Sequence, residues 1–235
     1  MRASSVRKKK LPLVIGLGFV VLLLVTGCLN GLLEDPQVKE EARGNGTGTG
    51  NARFQCPLDG AALTSMPEYR PVAVVIDNLP SARPQSGLKN ADVVYETLAE
   101  GGVTRFLAVY YHGQASKVGP VRSARPYFID LARSLKAILV HAGGSPDALE
   151  YMKDNNFPHL NEFNYSSYFW RSPDRRAPHN LYSSTDKLRS LVQKAELDRE
   201  VQVEGFSFVT DDGKVGGDEN IASDEIKIHF PKGYG

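Results

Sequence analysis

Two cysteines and one tryptophan in 235 residues leave little to read from sulfur or indole chemistry. Two cysteines cannot staple a small disulfide scaffold. There is no G-x-G-x-x-G fingerprint, no phosphate loop ending in lysine, no G-x-S-x-G elbow and no helix with paired histidines. The usual nucleotide, serine-hydrolase and metalloprotease signatures are therefore missing. Acid is missing from the start of the chain: the first acidic residue is Glu34, whereas Arg2, Arg7, Lys8, Lys9 and Lys10 all precede residue 11. Removing residues 1–27 takes away five bases and no acid, leaving 23 bases against 27 acids, a balance of −4. Such a domain lacks the broad basic surface that non-specific nucleic-acid binding needs. What is present, 41% hydrophobic and 23% charged residues, suffices for one or two domains with a real core.

One long apolar run occurs, at residues 11–25 (LPLVIGLGFVVLLLV). It is short of the roughly 20 residues a stable span requires. A basic stretch, a short apolar stretch and small residues after it describe a secretory signal. Val25-Thr26-Gly27-Cys28 resembles the bacterial lipobox, which implies that Cys28 becomes the lipidated first residue of the mature chain. The other reading is an uncleaved anchor helix extended to Leu33. Both leave the rest of the chain outside the cytoplasm, because the basic residues stay inside. Acyl chains on one cysteine anchor at about 0.8 kcal/mol per buried methylene. Residues 28–52 then form a lipidated tether with mixed charge and clustered glycine. About 24 residues of such chain reach about 27 Å. Cys56 is read as a buried small residue, with an intermolecular disulfide as the alternative.

From Phe54 the composition is that of a globular domain, expected over residues 53–200. Strands are expected at Pro71–Asp77, Asp92–Glu96, Arg105–Tyr111 and Ala137–His141, and helices at Pro126–Leu135, Ser145–Asp154 and Ser184–Leu197. The alternation predicts an α/β domain, a mixed sheet with flanking helices. Two more strands, Phe206–Thr210 and Glu225–Phe230, read as the start of a β-rich C-terminal part over residues 201–235 that continues past Gly235.

Five stretches have the residue types for binding or catalysis. Asp77 and Asn78 end the first strand, with Arg83 in the loop beyond. Glu96, Glu100, Gly101, Gly102 and Arg105 surround a glycine turn between two strands; a tight connection with ion pairs is the plain alternative. Arg122, Ser123 and Arg125 sit where a loop enters a helix, and guanidinium forks beside exposed helix N–H groups suit an anion. The plain alternative is that these arginines pair with acids such as Asp77 or Glu96. His141, Gly143, Gly144 and Ser145 lie at a strand's carboxyl end, where α/β sheets bind ligands. Arg175, His179 and Asn180 belong to a polar loop after the aromatic run Tyr165–Trp170, itself read as core before sugar platform. His112, His141, His159, His179 and His229 are scattered, so no metal and no cofactor is expected.

Read together, PVAVVIDNLPSARPQSGLKNADVVYETLAEGGVTRFLAVYY, GPVRSARPYFIDLA, VHAGGSPDAL and RRAPHNLYSS resemble the YerB-like lipoprotein family of bacteria. The resemblance runs from about Pro57 to Ser184 and more loosely beyond. It implies a lipid-anchored protein on the outer face of a Gram-positive membrane, with a further C-terminal domain, and brings no catalytic residues with it. Two functional classes stay open. One is a non-catalytic envelope lipoprotein that binds an anionic wall component or a wall-synthesis protein through its arginine-rich loops. The other is an envelope hydrolase or transferase acting on a phosphodiester or glycan. There His141 would be the acid/base, Asp77 or Glu96 would orient it, and arginines would hold the developing charge.

Overall fold

The computed structural model describes residues 53–199 and 202–208. The signal segment, Cys28, the tether and the strand expected at 225–230 lie outside these residues.

The framework is a five-stranded mixed sheet in the order β4-β5-β3-β6-β7. Its strands are β3 (Val72–Asp77), β4 (Val93–Leu98), β5 (Thr104–Tyr110), β6 (Ile138–His141) and β7 (His159–Asn161). A short hairpin, β1 (Phe54–Gln55) with β2 (Ala62–Leu63), precedes it, and a second, β8 (Trp170–Arg171) with β9 (Leu181–Tyr182), follows. β5 runs antiparallel to both of its neighbours, β4 and β3, while β6 and β7 run parallel to β3. The β-branched run VAVVID explains the central place of β3: every residue is buried, as a strand covered on both faces requires.

Period-two alternation divides the core. Ala73 and Val75 face one cluster with Phe128, Ile129 and Ala132 of α1 (Pro126–Ser134) and Ala148 and Met152 of α2 (Pro146–Asp154). Val72, Val74 and Ile76 face the other, with Leu188, Leu191 and Val192 of α3 (Thr185–Lys194). Each fully buried leucine there contributes about 2 kcal/mol. α3 starts where Ser184 accepts from Lys187 N (3.3 Å), a side-chain cap. Ser145 stands at the cap position of α2, but its side chain makes no capping hydrogen bond.

Phe206–Phe208 carries no strand. Phe206 N donates to Pro57 O (2.7 Å), and no partner strand runs beside this segment among the described residues. The expected aromatic run is core: Phe169 is buried, Tyr165 and Tyr168 pack on the α3-side cluster, and Trp170 stacks on Tyr182.

Candidate functional site

Register sets the site. Asp77, last in β3, pairs with Arg105 of β5, and Glu96 of β4 pairs with Phe106. Three strands therefore bring their polar ends to one edge of the sheet. The segment Val118–Ser145 is bound there by main-chain hydrogen bonds. Asp77 N donates to Pro120 O (2.9 Å), Val121 N to Leu181 O (2.7 Å), Arg122 N to Val75 O (2.8 Å) and Ala124 N to Gly143 O (2.9 Å). Gly119 (φ +143°) lies so close to this seam that a Cβ would meet Leu181 O at 2.7 Å.

Asp77 is the centre, only 1% exposed. Its Oδ1 accepts from Leu79 N (3.1 Å); its Oδ2 accepts from His179 Nδ1 (2.7 Å) and lies 3.0 Å from Arg122 Nε. Asn78 extends the network. Its Nδ2 donates to Glu96 Oε1 (3.0 Å) and Thr104 Oγ1 (2.7 Å), and its Oδ1 accepts from Arg83 Nε (3.1 Å) and Gln85 Nε2 (2.7 Å). Gln85 also donates to Asp77 O (3.0 Å).

Glu100 binds two guanidinium groups, Arg105 Nη2 (3.2 Å) and Arg125 Nε. The Arg125 hydrogen bond holds its carboxyl below the usual range. Arg105, mostly buried, also donates to Ser123 O (3.1 Å). Burial lowers its pKa, and the nearby charges of Arg125 and Arg122 lower it further. Three guanidinium groups thus share a neighbourhood with two carboxylates. Arg122 Nε lies at ion-pair distance from Asp77 without making a hydrogen bond, and its Nη atoms and His179 Nε2 have no partner among the described residues.

Comparison with known proteins gives the family and the fold. The profile described as the N-terminal domain of a protein of unknown function, DUF3048, matches residues 60–198, more than half of the sequence. The chain belongs to the DUF3048 family. It is 40% identical over 164 residues to the Bacillus subtilis (strain 168) protein named "Putative lipoprotein YerB", an alignment covering 69% of this chain and 50% of that one. A crystal structure of YerB protein from Bacillus subtilis superposes with a TM-score of 0.64 at 39% identity, covering 67% of this chain and 55% of the other. The chain spans about half the length of the relative it matches.

Within the DUF3048 domain the sequence-nominated residues divide. Arg83, Glu96, Arg122 and His179 gather around Asp77 and Asn78, while Arg105, Ser123 and Arg125 gather around Glu100, two neighbouring groups coupled through the charges of Arg122 and Arg105. Gly101 and Gly102 are exposed at positive φ beside Glu100, in the tight connection foreseen as the plain alternative.

His141 is different. It has no exposed surface, and its Nδ1 lies 2.6 Å from Gly143 O. A carbonyl only accepts, so Nδ1 carries the proton and Nε2 accepts from His159 Nδ1 (2.9 Å). Burial pushes its pKa down to about 4. An imidazole with both nitrogens spent and no contact with solvent cannot pass protons to a substrate, so the acid/base role expected of His141 is corrected.

The anion cradle expected at Gly143, Gly144 and Ser145 is corrected too: Gly143 N donates to Asn161 Oδ1 (3.0 Å) and Ser145 N to Ala124 O (3.2 Å). Arg175 donates to the carbonyls of Ser81 (3.4 Å) and Pro84 (2.7 Å). Asn180 Oδ1 accepts from Arg171 (3.0 Å) and staples the β8–β9 hairpin. Both are scaffold rather than ligand contacts.

Gln85 and Thr104 were not singled out as site residues. Gln85 gives no signal inside ARPQSG, and Thr104 is visible only as the neighbour of Arg105. A cavity of about 910 Å³ between Met66, Tyr69, Tyr111 and Val203 contains none of the network.

Proposed function

We propose that this chain is an envelope lipoprotein, tethered through Cys28 and residues 28–52, whose Asp77 cluster binds an anionic group of the cell wall. The name carried by its Bacillus subtilis relative supports the anchor. The observation that carries the binding reading is the grouping of Arg105, Arg122 and Arg125 around Asp77 and Glu100, with Arg122 Nη and His179 Nε2 unclaimed at half-buried positions. Asp77 positions both donors, and an incoming phosphate or carboxylate completes their hydrogen bonding.

The test is titration of the full chain, in detergent, with poly(glycerol phosphate). Arg122→Lys combined with Arg125→Lys keeps the charge and loses the fork. The double variant should bind about tenfold more weakly, about 1.4 kcal/mol, with an unchanged melting temperature. Equal binding by parent and double variant overturns the site.

A second reading has its own support. His179 Nδ1 is held by the buried Asp77, which leaves Nε2 as the free, partly exposed nitrogen. That is the arrangement of an oriented general base. Under this reading His179, not His141, acts on a wall phosphodiester beside Arg122. Release of glycerol phosphate by the parent, abolished in His179→Gln, would favour it over binding alone.

A further inference from the structure

A separate polar cluster forms where the β1–β2 hairpin meets the end of β5. Its turn reads Cys56-Pro57-Leu58-Asp59-Gly60. Cys56 N donates to Ala61 O (2.8 Å) and Gly60 N to Cys56 O (3.0 Å), with Gly60 at φ +75°. This tight reversal puts the thiol of Cys56 and the carboxylate of Asp59 on the same side. His112, just past β5, completes the group: the sulfur, a carboxylate oxygen and a ring nitrogen all lie within 4.8 Å of one another. Asp92, just before β4, stands beside His112 as a further donor outside that group of three. His112 Nε2 is 3.0 Å from Asp59 Oδ2 and 2.9 Å from Asp92 Oδ1.

One ring N–H cannot point well at two carboxylates at once. A cation with tetrahedral directions can satisfy both, and the sulfur as well. Bonds of about 2.0–2.3 Å put tetrahedral ligand atoms about 3.3–3.8 Å apart. Among Cys56, Asp59 and His112 the separations, from 3.0 Å up to 4.8 Å at most, bracket that range, so side-chain adjustments of about 1 Å would bring these three onto one ion. The Cys-x-x-Asp spacing equals the shortest ligand spacing of structural zinc turns.

The supporting contacts are also in place. Leu58 N donates to Cys56 Sγ (3.4 Å) and Ala61 N to Asp59 Oδ1 (3.0 Å). The amides of Tyr111, His112 and Gly113 fix the Asp92 carboxylate. Such outer contacts orient metal ligands. Cys56 is fully buried and the Asp92 side chain is 2% exposed. Sulfur, nitrogen and two oxygens suit zinc, whereas magnesium and calcium prefer oxygen alone.

We propose that Cys56, Asp59, Asp92 and His112 form a structural zinc site. It clamps the first hairpin, whose strands are two residues each, onto the central sheet. Binding displaces the thiol proton of Cys56 to solvent and takes His112 as the neutral imidazole that binds through Nε2 with its proton on Nδ1, and no redox step is involved.

The test uses the full chain in detergent, stripped with chelator and shown by circular dichroism to remain folded. It is titrated with Co²⁺ as a spectroscopic stand-in. The expected result is one equivalent bound, with intense tetrahedral ligand-field bands and a thiolate charge-transfer band. Zn²⁺ displaces the cobalt and Mg²⁺ does not. The charge-transfer band survives Cys28→Ser and disappears in Cys56→Ser. No uptake by folded protein at tenfold excess of Co²⁺ or Zn²⁺ overturns the proposal. So does a weak octahedral spectrum, or a charge-transfer band that persists in Cys56→Ser. Because the cobalt spectrum of the parent decides the first two outcomes, a variant that fails to fold leaves the proposal falsifiable.

Discussion

His141 and His179 have the same side chain and opposite situations. Water is excluded from His141, and its folded pKa falls to about 4 from the ordinary 6.5. Burial lowers its partner His159 as well. Protonation is thus easier in the unfolded chain, and the sign follows: the stability at stake is fully present above pH 6.5 and is lost as pH falls toward 4. The shift corresponds to about 3 kcal/mol for His141. Unfolding by urea should show stability falling between pH 6.5 and 5, above the range where most carboxylates titrate. A flat profile there would contradict the buried-pair geometry. His179, by contrast, keeps one nitrogen facing the site while Asp77 holds the other. Sequence could nominate both histidines, but not rank them. Depth in the core depends on β7, whose three residues HLN supply His159 and Asn161 and carry no readable pattern.

Element by element, patterning was informative wherever a segment was long enough to repeat. β3 announces itself as an unbroken β-branched run, and α1, α2 and α3 by apolar spacing with proline or serine at their starts. Ser184 caps its helix through its side chain, whereas Ser145 at the start of α2 does not. Ser184→Ala should therefore cost about 1 kcal/mol, read as a lowered urea midpoint with an unchanged slope. No loss would mean that packing of Leu188 and Leu191 alone sets the helix start. The two-residue strands of β1–β2 and β8–β9 are too short to show alternation. The seam around Gly119–Arg125 was read only as a loop entering a helix. Its main-chain bonds to Val75, Leu181 and Gly143 join segments far apart in sequence, and no local spacing encodes them. The same limit hid the approach of His112 to Cys56 and Asp59, which a turn and two strand ends bring together.

For the whole molecule, the sheet edge gathers what the chain scatters. Residues from 77 to 179 meet at Asp77 because β3 is central and its neighbours place their polar ends beside it. Ten nominated residues join the Asp77 and Glu100 groups, and most of those that do not are spent on holding loops in place. The acidic balance of −4 for residues 28–235 makes this local clustering of arginine a feature of position rather than of bulk charge. It also predicts strong salt dependence for any anion bound there. The most direct measurement is a crystal structure of the protein soaked with phosphate. Phosphate density contacting Arg122 Nη and His179 Nε2, with Asp77 still between them, is the predicted result. A fully occupied phosphate elsewhere, with Arg122 and His179 bare at the same concentration, would contradict the account.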